Sequence, residues 1–275
     1  MSKLKIALGQ MRIDDANAPD NLPHNLKRIE AIIEEAGPGH DLIVLPETAT
    51  SGFADRASVA AVAEPLTGPT IERLGALAAR HGCVIAIGLA ELSGEDLFNT
   101  AAIIGPGGLL MAYRKTHLWR DDLAIFRPGS EVAVADIGGY RLGALICYDV
   151  EFPEPARLAA AQGADLIALS NGNMDPYGDV HRRAVAARAQ ENQLFVAVAN
   201  RVGDGKDMTF AGGSMVAGPD GSTLLEMGTE EGIGSLEIDL DQVSQSRRDY
   251  CYLDERRFVV GSEAVESNPK PKSKH

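Results

Sequence analysis

Two hydrophobic rhythms share this chain. Apolar residues that alternate, or that run together for a few positions, predict strands at about 4–9, 41–46, 83–91, 99–104, 109–113, 141–147, 165–169, 194–199 and 234–238, with a further pair near 212–216 and 222–226. Apolar residues three and four apart predict helices over 25–36, 71–80, 154–162 and 180–192, and a short one over 239–247. Gly163 closes the third helix, while Pro106-Gly107-Gly108 and Pro219-Asp220-Gly221 mark hairpins. The strand–helix–strand order of 4–46 returns at 141–169, so the pattern reads as two similar halves. Strands joined by short turns over 83–113 read antiparallel, which makes the sheet mixed and the fold class α/β.

Composition narrows this. At 275 residues and 45% hydrophobic the chain can bury one large core, and we expect a single domain over 1–261 followed by a flexible tail over 262–275. The 39 acidic and 26 basic residues leave a formal charge of −13, which argues against nucleic acid or an anionic membrane as partner and favours a small neutral or cationic substrate. No apolar run approaches the roughly 20 residues of a membrane span. Met1-Ser2-Lys3-Leu4-Lys5-Ile6-Ala7 enters a strand without the apolar region and cleavage site of an export signal, so a cytoplasmic protein is expected. Cys83, Cys147 and Cys251 are odd in number and far apart, with no paired spacing for zinc or redox work, so at least one thiol is free.

Chemistry enters at the ends of strands. Cys147 is the last residue of an apolar run that passes through a turn into a helix opened by Pro153, an edge where α/β proteins expose reactive groups. A small buried hydrophobe is the ordinary use of such a cysteine. Glu47 follows Pro46 at the end of another buried strand, where a carboxylate is costly, and Lys115 sits in the basic cluster Tyr113-Arg114-Lys115-Thr116-His117 after a third. A cysteine nucleophile needs a base or a nearby positive charge, and these two supply both. The strands are expected to share one sheet system, with the Tyr148 N–H at the turn as a second oxyanion donor. His117 reads as a hydrogen-bonded structural histidine, and Arg188 with Glu191 as an ion pair on one helix face. Loop 170–178 is a connector or a substrate wall. Asp149, Glu151 and Asp175 favour a substrate carrying an amino group, although Asp149 has the alternative of capping the next helix.

Leu45-Pro46-Glu47, Tyr113-Arg114-Lys115-Thr116-His117-Leu118 and Ile146-Cys147-Tyr148-Asp149-Val150-Glu151-Phe152-Pro153-Glu154, in that order, resemble the three signature segments of the nitrilase superfamily of carbon–nitrogen hydrolases. The resemblance runs from about Lys5 to Tyr250. It implies an α-β-β-α sandwich with two mixed β-sheets between helix layers, and catalytic Glu47, Lys115 and Cys147. It also implies no metal, no organic cofactor, and a homodimer or larger homo-oligomer whose C-terminal segments reach across. Cys147-Tyr148-Asp149 is similar to the amidase branches. The run Glu151 to Glu154, with Asn173-Met174-Asp175-Pro176-Tyr177 and Ala187 to Asn192, resembles aliphatic amidases of the 5-aminopentanamidase type, which places Glu151, Asn173 and Met174 with the substrate. Many members carry a second glutamate after the lysine motif. Here Asp121 and Asp122 stand in a region one residue shorter, and Asp121 is expected to replace it. The implied reaction is hydrolysis of a small aliphatic, amino-bearing primary amide to acid and ammonia through a thioester. The alternatives are a nitrilase, a stereoselective amidase on a bulkier substrate, or a non-catalytic metabolite-binding member.

Overall fold

The structure is a computed structural model that describes residues 3–18, 20–205 and 208–258; the expected tail over 262–275 lies outside them. The first half runs β1 (Lys3–Gln10), α1 (Asn21–Ala36), β2 (Leu42–Val44), α2 (Arg56–Val62), α3 (Pro69–His81), β3 (Val84–Ser93), β4 (Asp96–Gly105) and β5 (Gly108–Arg114). The second runs α4 (Asp122–Ile125), β6 (Val134–Asp136), β7 (Arg141–Ile146), α5 (Pro153–Ala161), β8 (Leu166–Asn171), α6 (Gly178–Asn192) and β9 (Phe195–Asn200). It closes with β10 (Val202–Asp204), β11 (Thr209–Ala211), β12 (Met215–Ala217), β13 (Thr223–Glu226), β14 (Gly232–Asp239) and α7 (Asp241–Ser246).

Two six-stranded sheets form, ordered β14-β1-β2-β3-β4-β5 and β13-β12-β9-β8-β7-β6. In the first, β1, β2 and β3 are parallel and are flanked by antiparallel β14 and β4. In the second, β7, β8 and β9 are parallel and are flanked by antiparallel β6 and β12. The repeat in the hydrophobic pattern is thus a repeat in strand pairing.

Strand alternation decides the layers, because successive side chains leave opposite faces. Ile6, Leu8, Val44 and Ile103 join the second sheet's Leu145 and Val196 in one cluster, whereas Ala7, Ile43, Ile85 and Ile104 pack with Ile29 and Ile33 of α1 and Leu74 of α3 in another. Helices α5 and α6 cover the second sheet through Ala156, Ala159, Val185 and Ala189. The result is α-β-β-α, as expected. Burying each such aliphatic side chain stabilises the stack by roughly 1.5–3 kcal/mol.

The departures from expectation are local. Helix α1 starts at Asn21 rather than Asn25 because its first buried residues are polar: Asn21 Nδ2 donates to Ser51 O at 3.1 Å and Asn25 Nδ2 to Thr50 O at 3.1 Å. An apolar period cannot register a turn whose inward face is asparagine. Helix α2, not foreseen, is set by its N-cap, where Asp55 Oδ1 accepts from Ala57 N at 3.0 Å and Ser58 N at 3.1 Å. Loop 120–129 contains the four-residue α4, too short for a periodic signal. No helix among the described residues is long and apolar enough to cross a membrane.

Candidate active site

Three chain segments meet where the two sheets end. Pro46 and Glu47 leave β2, and the Glu47 N–H donates to the carbonyl of Asn171 at the end of β8 at 3.2 Å, so the backbones of the two sheets touch there. Gly88 on β3 makes this possible: a Cβ on it would lie 2.5 Å from the Glu47 Cα. Lys115 follows β5, with its N–H on the Asn99 carbonyl at 2.8 Å and its own carbonyl receiving the Gly129 N–H at 2.8 Å. Cys147 follows β7. The one-sheet expectation is therefore corrected, since Glu47 and Lys115 come from the first sheet and Cys147 from the second.

The side chains are buried: Glu47 is 0% exposed, Lys115 1% and Cys147 8%. Glu47 Oε1 accepts from Lys115 Nζ at 2.7 Å and from Asn99 Nδ2 at 2.7 Å. Lys115 Nζ also donates to Asp122 Oδ2 at 2.6 Å. Glu47 Oε2 has no hydrogen-bond partner among the described residues. It faces Gly172, where a Cβ would come within 2.5 Å of it and 3.2 Å of the Phe53 ring. The Gly172 backbone N–H is near enough to the Cys147 sulfur to favour its thiolate. Gly172 thus neighbours both the free carboxylate oxygen and the thiol, and a methyl group there would press on the carboxylate.

Burial pushes the Cys147 thiol well above its ordinary pKa, and the Glu47 charge adds to this while Lys115 opposes it. Burial also pushes the Glu47 carboxyl up, and Lys115 offsets part of that. For Lys115 burial works against the charge, but Asp122 and Glu47 together hold the ammonium well above its usual pKa. The site at rest is an ammonium clamped between two carboxyl groups beside a neutral thiol. A carboxylate with raised proton affinity is suited to take the thiol proton as sulfur attacks.

Backbone conformation marks the same three segments. Thr48 next to Glu47, Cys147 itself and Arg120 in the loop after Lys115 have φ of 45°, 43° and 41°, left-handed values that side-chain-bearing residues rarely adopt. Cys147 opens a 3₁₀ segment, Cys147–Glu151, directly off β7. The Tyr148 N–H falls in its first turn, where backbone donors lack an acceptor within the turn. The Tyr148 ring packs edge-on against Phe152.

Other expectations are corrected. Asp121 is exposed, and Asp122, buried on α4, is the residue that reaches Lys115. The helical turn of α4 points its first residue, not its N-cap, into the site. Asp149 is 0% exposed and accepts from Tyr113 Oη, Ile146 N, Thr116 Oγ1, His117 N and His117 Nδ1, so it has no capacity left for a substrate amine. Through the Ile146 N–H it caps the start of the 3₁₀ segment, and it also ties the lysine segment to the cysteine turn. His117 is the structural histidine expected. Arg188 pairs with Glu191 and also donates from Nε to the Val150 carbonyl at 2.9 Å, latching the 3₁₀ segment to α6.

Glu151 accepts from His181 Nε2 at 3.1 Å, and His181 Nδ1 meets Asn171 Oδ1 at 3.1 Å. Asn173 donates from its backbone to Asn200 Oδ1 at 2.9 Å and from Nδ2 to the Tyr177 carbonyl at 3.3 Å. Met174 is buried and bridges to Phe210. These contacts organise the loop after β8. The hydrophobic pattern does not single out Asn99 or Gly172, although a polar Asn99 inside the apolar run of β4 is the kind of residue that burial makes expensive without a partner.

The comparisons with known proteins agree with this geometry. The carbon-nitrogen hydrolase family profile matches residues 5–248. The chain is 43% identical to an (R)-stereoselective amidase of Pseudomonas sp. over 96% of this chain and 95% of that one. It is 35% identical to the 2-oxoglutaramate amidase of Bacillus subtilis over 85% of this chain and 91% of that one. Among solved structures, a mutant of the amidase from Nesterenkonia sp. AN1, showing covalent addition of the acetamide moiety of fluoroacetamide at the active site cysteine, superposes with a TM-score of 0.78 at 31% identity, covering 90% of this chain and 94% of that one. Fold, motif order and relatives converge, and the chain belongs to the carbon–nitrogen hydrolases, among their amidases.

Proposed function

We propose that Cys147, Glu47 and Lys115 hydrolyse a primary amide through a thioester. The observation that carries this is the division of Glu47: Oε1 is held by Lys115 and Asn99, while Oε2 is unpaired and shares Gly172 as a neighbour with the Cys147 sulfur. Oε2 takes the thiol proton as sulfur bonds to the amide carbon. The oxyanion that forms is met by Lys115 Nζ and the Tyr148 N–H. Glu47 returns the proton to the amide nitrogen, the C–N bond breaks, and ammonia leaves behind an acyl–sulfur bond. Water then gives a proton to Glu47 and its oxygen attacks the thioester; the C–S bond breaks, the carboxylic acid departs and sulfur recovers its proton. Asp122 keeps the ammonium charged and aimed. Glu47→Gln should slow ammonia release by about 10²–10⁴, read in a coupled ammonia assay with a simple alkyl amide. Wild-type turnover in that variant would end the proposal.

For the acyl group, two of the three carboxylates that favoured an amine are engaged, Asp149 by its five donors and Glu151 by His181. The ring of Phe53 beside the Oε2 position supports an apolar acyl chain instead. Pentanamide should therefore match or exceed 5-aminopentanamide in kcat/KM; a preference of about ten-fold or more for the amine, worth 1.4 kcal/mol, would restore a charged subsite. We place the reaction in the cytoplasm, supported by three free cysteines, and in a homo-oligomer, supported by exposed Tyr250, Tyr252 and Phe258 near the described C-terminal end.

A further inference from the structure

We infer that Asn99 is a positioning residue that gives the two oxygens of Glu47 different duties, anchoring Oε1 so that Oε2 is the oxygen that carries the proton. The inference rests on Glu47 being the base. Asn99 lies on β4, is 0% exposed, and acts on both partners of the site: its carbonyl receives the Lys115 N–H at 2.8 Å and its Nδ2 donates to Glu47 Oε1 at 2.7 Å. With Lys115 Nζ also at 2.7 Å, Oε1 already accepts two donors and is the poorer place for a third hydrogen. The amide orientation is dictated by the same contact, since the reverse would set oxygen against oxygen. In the orientation adopted, Asn99 Oδ1 is buried with no hydrogen-bond partner among the described residues. Among the described residues the side chain of Asn99 therefore makes a single hydrogen bond, the one to Glu47.

The charged and titratable groups that bear on Glu47 are Lys115 after β5, Asp122 on α4, Cys147 after β7 and Arg201 after β9. Asn99 adds a neutral donor to this set, and it favours the ionised form of Glu47. Acylation needs Glu47 as carboxylate, so kcat/KM falls as pH drops through the Glu47 titration. Removing a donor to the charged form raises its proton affinity, and the acid limb must move to higher pH.

In Asn99→Leu, similar in size but without the donor, we expect the acid limb of kcat/KM to rise by about one pH unit, with the loss at neutral pH falling on kcat rather than KM. Asn99→Asp keeps the shape and sets a second carboxyl group against Oε1, so it should move the limb at least as far, and it serves where Asn99→Leu does not fold. A lower melting midpoint with an unmoved acid limb in the folded variants would make Asn99 merely structural and overturn the inference. Glu47→Gln measured alongside separates the two ideas: an inactive Glu47→Gln with unmoved limbs sinks the role of Asn99 alone, whereas an active one sinks the base.

Discussion

Alanine in place of Cys147 should leave a folded chain that releases no measurable ammonia, a loss on the order of 10⁴–10⁶ in kcat. The expectation separates chemistry from folding because the substitution removes little else. Cys147 is 8% exposed, and its sulfur is a small part of the interior packing, so the transfer and cavity cost stays within about 2 kcal/mol. The left-handed backbone at φ 43° is as awkward for alanine as for cysteine, so strain does not change between them. Lys115, Glu47 and the Tyr148 N–H remain to polarise a bound amide, but no bond to the acyl carbon can form and hydrolysis must rely on water. A melting midpoint within a few degrees of the parent, together with silence in the ammonia assay, is the expected pair of readings. Residual turnover above about a hundredth of the parent would mean that a different group attacks the amide.

How much of this was legible beforehand depended on the kind of residue involved. Glu47, Lys115 and Cys147 were found because each ends an apolar strand, and a charge or thiol at that point breaks a pattern that two-residue alternation makes visible. Their convergence from two sheets was not legible in the spacing, because face-to-face packing leaves no local trace; only the resemblance of ordered motifs implied two sheets. Asp121 and Asp122 look alike in the sequence, since neighbouring residues in an unpatterned loop carry no facing information until the turn of α4 sets their directions about 100° apart. Asn21, Asn25 and Asn99 escaped for a related reason: a buried amide is paired with a backbone or side chain far along the chain, and hydropathy counts it as exposed. Gly172 looked like one turn residue among several, yet a methyl there would press on Glu47 Oε2 at 2.5 Å.

Asp149 shows most clearly how a residue that looks like substrate recognition can instead hold the machinery together, and its replacement by alanine should cost about 3–5 kcal/mol of stability. Its Oδ2 accepts from Tyr113 Oη at 2.8 Å and Ile146 N at 3.2 Å, and its Oδ1 from Thr116 Oγ1, His117 N and His117 Nδ1, each at 2.9 Å. Burial first, and then the Asp149 charge, hold the Tyr113 phenol well above its ordinary pKa, so it stays a donor. Alanine would strand the buried Tyr113 hydroxyl and Ile146 N–H out of reach of water and leave the half-buried Thr116 and His117 donors without their acceptor, which is costlier than never having built the network. The melting midpoint should fall by about 10 °C. The second consequence is catalytic: Tyr113, Thr116 and His117 bracket Lys115, while Ile146 precedes Cys147, so the carboxylate is the shared anchor that fixes the ammonium relative to the sulfur. Asp149→Asn, which keeps the volume but turns one acceptor into a donor, should stand between parent and alanine in stability and yet lose activity disproportionately, because a misplacement of about 1 Å at the reacting atoms costs on the order of 10² in rate. Unfolding at the parent temperature with full activity in either variant would show that the two segments hold their spacing without it, through the sheet packing alone.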